Sequence, residues 1–403
     1  MIEEAVSAGT AMDAEASDGR RRMLLVRGGV LSPYSGLGGA FHDLRTSLEG
    51  GAIPKWSSAG VLEYDLGEDA PAWKRLWWRW VTHPRRVKKA IRAAERTGQA
   101  DAVLVTDQEQ AHLVPRSSTL PVMVYVHDFF HLFPHQLELS GDRLDIGEQR
   151  PSVIRRRDLR QLMHGLRRAD ALVCNTMDTA SLCRTHFPST PLDRVPYGLD
   201  VASYAPPSPL PKAPQPLAEP RCHFLVVGSH DPRKRLKFLI DALAELPDEV
   251  RDRLRVHHIG GNTCPYGGLS AKALAARASV PWTHVGSGIS DDVLNLYRWH
   301  TEALLFPSAA EGFGYPPVES MAAGQPVLAS DRPAHNELIP EGSGLDPENK
   351  GAWCEAIGAA VTAWIQREGQ PRVADDRLMN HVSFLAPQRF HRDMAEAWDR
   401  HCS

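Results

Sequence analysis

The stretch "EALLFPSAAEGFGYPPVESMAAGQPVLASD", residues 302–331, sets two short apolar runs, 302–308 and 325–331, on either side of a bent loop and a short helix-forming segment. Apolar runs of this length bounded by turn residues predict strands buried on both faces, and a helix between them makes the crossover unit of a parallel sheet. Gly312 and Gly314 suit a tight loop, Pro316 and Pro317 suit a helix start, and Gly324 suits its end. The stretch also carries two carboxylates, Glu311 in the loop and Glu319 in what reads as the first helical turn. Spacing alone does not assign them. Glu319 in that position offsets the helix dipole, and a carboxylate pair also suits the acid and nucleophile of a glycoside hydrolase.

The same alternation extends both ways. Strands are expected at 23–27, 101–107, 121–128, 169–176 and 193–198, with helices near 39–48, 85–97, 155–168 and 176–186. A proline-rich segment at 204–221 breaks the pattern and reads as a semi-rigid linker. A second series follows, with strands at 223–229, 253–260, 282–287, 302–308 and 325–331, and helices near 234–246, 270–279, 290–300, 316–323 and 349–366. The fold class is α/β, with two doubly wound Rossmann-like domains, 23–203 and 222–384, facing each other across a cleft. Residues 1–22, acidic and alanine-rich before Arg20–Arg22, read as a disordered tail.

The 403 residues suffice for two hydrophobic cores, and a formal net charge of -3 does not ask for nucleic acid. Six cysteines show no metal-binding spacing and suit a reducing, cytoplasmic setting. No uncharged apolar run approaches the ~20 residues of a membrane-spanning helix.

Three further clusters lie at strand ends. "SHDPRKRLK" (229–237) places Arg233 and Lys234 after a strand, where cations suit a leaving diphosphate, or form a solvated face. "VYVHDFFHLFP" (124–134) ends a strand on His127 and Asp128, while His131 and His135 find no third metal ligand. "GLGG" (36–39) supplies Gly38 and Gly39 for a close backbone approach. No D-x-D pair follows an apolar strand. "WKRLWWRWV" (73–81) sets Trp73, Leu76, Trp77, Trp80 and Val81 on one helical stripe, with Lys74, Arg75 and Arg79 elsewhere. That helix fits three settings: an anionic membrane surface, the first domain's own core, or an acceptor groove.

Taken in order, "RGGVLSPYSGLGG", "VYVHDFFHLFP", "ADALVCNTMDTASL", "DRVPYGLDVASYAP", "LVVGSHDPRKRLKFLIDAL" and "PSAAEGFGYPPVESMAAGQPVLASD" resemble the motifs of retaining glycosyltransferase family 4, of GT-B fold, over roughly residues 23 to 400. The resemblance implies that Glu311 binds donor-sugar hydroxyls and that Glu319 holds the nucleotide ribose. It places Gly312 and the backbone of Phe313, Gly314 and Tyr315 against sugar or phosphate, and Gly38 and Gly39 near the donor phosphate. Lys234 and Arg233 would stabilise the leaving diphosphate, with Ser229 standing where many members carry an arginine. His127 would lie at the reacting centre, with Asp128 orienting its loop on the acceptor side; if the Trp-rich helix lines an acceptor groove, Trp77 belongs to it.

The resemblance further implies a nucleotide-sugar co-substrate such as a UDP- or GDP-sugar, no other cofactor, no metal, and a C-terminal helix near 385–403 crossing back to the first domain. The acceptor is open between a small polar natural product and a lipid-linked glycan reached from a membrane surface. A binding protein that has lost transfer, a phosphorylase and a sugar-nucleotide epimerase are the rival readings. The intact glutamates, Lys234 and His127 weigh against the first, and chain length against the second.

Overall fold

The structure, a computed structural model, describes residues 19–402 apart from Tyr34, Glu68 and Tyr266. Most of the segment read as a tail lies outside the described residues. Its last residues do not: strand β1 (Arg21–Gly29) begins at Arg21, whose guanidinium pairs with Asp399.

The first domain is built on β1, β2 (Trp56–Tyr64), β3 (Ala102–Val105), β4 (Val122–Val126), β7 (Ala171–Cys174) and β8 (Leu192–Arg194), in the order β2-β1-β3-β4-β7-β8. Every pairing in it is parallel. All residues of β3, β4 and β7 are buried, as apolar strands covered on both faces must be. Helix α1 (Gly36–Glu49) lies on one face; α3 (His83–Thr97), α4 (Val153–Arg168) and α5 (Met177–His186) share the other core. In α3, Val87, Ile91 and Ala94 recur at helical spacing and are buried, while Lys88, Lys89 and Arg92 between them, and Arg85 before them, are exposed.

Three strands of this domain, β2 and a hairpin pair, have no counterpart in the sequence reading. β2 is the sheet edge, paired on one side only, and its Ser57, Ser58 and Gly60 dilute any apolar run. An antiparallel hairpin, β5 (His135–Leu139) and β6 (Asp142–Ile146), turns on Ser140 and Gly141, both at positive φ. Its Ser140 Oγ donates toward the carbonyls of Pro347 and Glu348, so the hairpin braces the second domain.

The expected continuous stripe at 73–81 is interrupted. α2 (Ala72–Trp77) passes through a π-helical turn, Trp78–Thr82, before α3. The wider turn rotates the following residues, so the stripe does not stay on one face. Trp80 donates to Asp158 and is half-buried, and Trp78 packs on Tyr64 beneath Arg86, while Trp73, Leu76 and Trp77 remain exposed.

The second sheet, also all parallel, contains β9 (Cys222–Val227), β10 (Leu254–Ile259), β11 (Trp282–Gly286), β12 (Ala303–Phe306) and β13 (Val327–Ala329), ordered β11-β10-β9-β12-β13. Around it run α6 (Leu236–Ala244), α7 (Asp248–Arg251), α8 (Ala271–Arg277), α9 (Asp291–His300), α10 (Tyr315–Ala322), α11 (Pro333–Asn336), α12 (Lys350–Gln366) and α13 (Asp376–His381). The proline-rich connection is tied to this domain: Trp299 donates to the carbonyl of Tyr204, His300 bonds that of Pro211, and Leu217 is buried. Helix α14 (Pro387–His401) packs on the first domain, with Trp398 edge-on to Trp56 at 5.3 Å and Asp399 accepting from Trp56 Nε1 at 3.1 Å. No helix of the described residues is long and apolar enough to cross a membrane.

Candidate active site

The carboxyl ends of the two sheets meet at the loop 307–314. Gly312 lies so close to the first domain that a Cβ on it would stand 2.6 Å from the carbonyl oxygen of His127. Thr176 Oγ1 reaches the Gly312 carbonyl at 3.4 Å. On the flank, the Glu337 carboxylate accepts from the backbone N–H groups of Met177 at 2.8 Å and Asp178 at 3.0 Å, capping α5 from the opposite domain.

Three candidate residues converge here. Lys234 Nζ lies 2.5 Å from Glu311 Oε1, and Arg233 Nη1 lies 2.7 Å from Glu311 Oε2 and donates to the carbonyl of Ala310. The local chain explains how. Asp231 caps the 3-10 turn Pro232–Lys234, and Arg235 takes a left-handed conformation (φ 54°) that ends the turn and starts α6. The turn sits beside Gly228, where a Cβ would meet Lys234 Cε at 3.3 Å. Burial opposes charge on the Glu311 carboxyl, but Lys234 and Arg233 outweigh it and lower its pKa to about 2. Burial lowers the Lys234 pKa despite Glu311. The two cations face the carboxylates of Glu311 and of Asp231, the latter 3.8 Å from Arg233 Nε, an arrangement that suits exchange of these partners for a diphosphate.

Glu319 is not in the first turn of its helix. It is the fifth residue of α10, too deep for the dipole reading, and it pairs with the buried Arg298 while Tyr204 lies over the same guanidinium at 5.2 Å. Burial raises its pKa, with Arg298 opposing. Glu311 and Glu319 thus have separate cationic partners, unlike a paired-carboxylate hydrolase.

His127 is buried, and both ring nitrogens are engaged: Nε2 donates to the Thr106 carbonyl at 2.7 Å, and Nδ1 accepts from the Tyr197 hydroxyl. Burial lowers its pKa to about 4, so the ring is neutral. Tyr197 also stacks on Tyr315 at 5.1 Å and meets Phe313 edge-on at 4.8 Å, joining first-domain His127 to the second-domain loop. Asp128 accepts from the N–H of Phe130 and orders its own turn.

In the glycine loop, the space a Cβ would fill at Gly38 is taken by the Ser32 carbonyl at 1.9 Å, so Gly38 serves its own turn. Gly39 meets only the Pro33 carbonyl at 3.5 Å, and Gly36 instead faces the Tyr315 ring at 3.8 Å. Gly314, at φ 115°, adopts the left-handed bend before α10. Trp77 is 56% exposed on α2.

Tyr197, Tyr204 and Arg298 were not singled out in the sequence. Tyr197 and Tyr204 follow strand and loop ends in the quoted "DRVPYGLDVASYAP", a positional signal, whereas Arg298 is one of many helical arginines.

Two parallel-sheet α/β domains closing on such a cleft define the GT-B fold. Within it, residues 211–370 match the family Glycosyl transferases group 1. The chain is 29% identical over 211 residues to D-inositol 3-phosphate glycosyltransferase of Geodermatophilus obscurus, covering 47% of this chain and 45% of that protein. It is 31% identical over 169 residues to MMP alpha-(1->4)-mannosyltransferase of Mycolicibacterium hassiacum, covering 41% and 38%. The structure of HepE from Anabaena in complex with UDP and glucose superposes with a TM-score of 0.62 at 16% identity, over 94% of this chain and 100% of that one. The chain spans less than half the length of each of these two curated relatives.

Proposed function

We propose that this protein is a retaining hexosyltransferase that takes its sugar from a nucleotide-sugar donor without a metal ion. The observation that carries the reading is the meeting of Arg233, Lys234 and Glu311 at the carboxyl end of the second sheet, against His127 and Tyr197 of the first domain. The group 1 match covers the basic turn and both glutamates, and HepE, of the same fold, was solved with UDP and glucose.

In this mechanism Lys234 and Arg233 turn from Glu311 to the diphosphate and stabilise the charge that grows as the bond from the anomeric carbon to phosphate oxygen breaks. Glu311, ionised, accepts hydrogen bonds from donor-sugar hydroxyls, and Glu319 accepts from the ribose. The acceptor oxygen bonds the anomeric carbon on the face the phosphate leaves, and its proton passes to a phosphate oxygen, so a nucleoside diphosphate departs. His127, neutral and engaged on both nitrogens, walls the sugar pocket and is no acid at neutral pH. Closure of the cleft excludes water that would hydrolyse the donor. The acceptor class proposed is a small polar natural product, and the setting cytoplasmic.

Thermal shift against UDP-, GDP-, ADP- and dTDP-sugars, followed by NMR of the product formed with the stabilising donor in EDTA, tests the reading. Retained anomeric configuration in EDTA is expected; inversion or a strict metal requirement overturns the mechanism. A donor that binds and is never consumed, with any acceptor offered, points to a binding protein.

A further inference from the structure

Charge and apolar exposure are concentrated in one part of the first domain. Residues 72–97 and 153–168 together carry fifteen Lys and Arg against two acidic residues, whereas the whole chain has a formal net charge of -3. The remainder is therefore strongly acidic. Of the eleven large hydrophobic side chains exposed among the described residues, five belong to the same two stretches: Trp73 (70%), Leu76, Trp77, Val153 (75%) and Ile154.

The topology brings these five together. α3 leads from β2 into the parallel strand β3, α4 leads into the parallel strand β7, and both cover one face of the sheet through Val87, Ile91, Leu162 and Leu166. Both helices run back along the sheet, so they are parallel to each other with their amino-terminal ends at its carboxyl rim. Asp158 of α4 fixes their level, accepting from Trp80 at 3.0 Å and from Arg79 at 3.1 and 3.0 Å. Trp73, Leu76 and Trp77 precede that pin on one helix, and Val153 and Ile154 precede it on the other. The apolar side chains therefore project from the same rim, with exposed Lys88, Lys89, Arg92, Arg156, Arg157 and Arg160 along the helices below.

We propose that this rim docks on an anionic lipid bilayer, its tryptophans and aliphatic side chains entering the headgroup region while the flanking cations meet lipid phosphates. A protein partner is disfavoured because the cores of protein interfaces are depleted in charge, and this apolar group is hemmed by cations of one sign. Nucleic acid is disfavoured because Val153, Ile154 and Leu76 offer it no stacking surface. The inference does not rest on the reading of the cleft, since binding to vesicles is measured without a sugar.

The full chain is floated with vesicles of phosphatidylcholine alone and of phosphatidylcholine mixed with phosphatidylglycerol, alongside the W73S/W77S and R157E/R160E double variants. Val373→Ser, at an 89% exposed site on the second domain, is the control. Circular dichroism verifies that each variant is folded. Binding to the anionic vesicles only, weakened by salt and with a blue shift of tryptophan emission, is expected. Each double variant should partition more than ~10-fold more weakly, and V373S should match the parent. The proposal is overturned if the parent does not float, or if either double variant floats like the parent. It is equally overturned by a dimer that W73S/W77S dissolves, or by a short RNA or DNA duplex that outcompetes the vesicles.

Discussion

Lys234 Nζ sits 2.5 Å from Glu311 Oε1, so the cation assigned to the leaving group is neutralised by the carboxylate assigned to the sugar. A donor can bind only by exchanging this ion pair for its own diphosphate and hydroxyls. Glu311→Gln removes the carboxylate that Lys234 and Arg233 share and leaves Arg233 with Asp231 at 3.8 Å. Free nucleoside diphosphate should then bind as tightly as to the parent or more so, while kcat falls on the order of 10²-fold or more. Inhibition constants and initial rates measured together check this, and a Gln variant with weakened nucleoside diphosphate binding would break the link between the two roles.

Lys234→Ala should act in the opposite sense on nucleoside diphosphate. It deletes a diphosphate contact and leaves Glu311 paired with Arg233 alone, at 2.7 Å. Nucleoside diphosphate affinity and kcat should both fall, the latter by ~10²–10³-fold. Titration calorimetry with UDP and GDP reads the first effect.

The closed arrangement rests on very little space. A methyl at Gly312 would stand 2.6 Å from the His127 carbonyl, which backbone atoms cannot yield without moving the domains. Gly312→Ala is expected to keep both folds, raise the KM for donor several-fold and increase the radius of gyration seen by X-ray scattering. Unchanged scattering and an unchanged KM would mean that this contact does not limit closure.

Glu337 caps α5 across the interface, with Arg194 3.6 Å from the same carboxylate. Glu337→Ala leaves two helix N–H groups without their partner and should cost about 1 kcal/mol. Hydrogen exchange should rise at residues 177–180 while α4 is unaffected. Equal exchange in both helices would assign the loss to general destabilisation instead.

Five histidines set a pH dependence. Burial lowers the pKa of His83, His127 and His258 to about 4 and of His112 and His257 to about 3. Each binds its proton more readily unfolded, near 6.5, so its contribution is complete above that pH and is lost as pH falls toward 4. Asp107, raised by burial to about 6, has the reverse slope, as do Asp43, Asp128, Asp178 and Glu319, but burial also lowers His223, His230, His300, His335 and His391, so the lowered imidazoles outnumber the raised carboxyls. Urea midpoints should therefore fall from pH 7 to pH 5; a rise would show that carboxyl groups dominate.

Much of the architecture was legible because it is written locally. Val122–Val126 and Ala303–Phe306 are apolar at every position, which only a strand covered on both faces explains. β2 was not legible, since an edge strand leaves polar residues on its open side, nor was the π turn at Trp78–Thr82, which shifts a helical stripe without changing composition. Arg233, Lys234 and the two glutamates stood out through motif order, but the pairing of Glu311 with both cations and of Glu319 with Arg298 did not.

By itself, the sequence determined two parallel sheets, the basic turn at 232–235 and a glutamate in each half of the 307–322 segment, because strand burial and turn chemistry depend on neighbours in the chain. Only the tertiary structure decided that Glu319 answers to Arg298 and Tyr204, that Tyr197 occupies His127, and that Trp73 and Trp77 stand exposed while Trp80 is held by Asp158. Those pairings join residues from 21 to 115 positions apart. Charges and rings at such separations find their partners through packing of the elements that carry them, which local sequence does not encode.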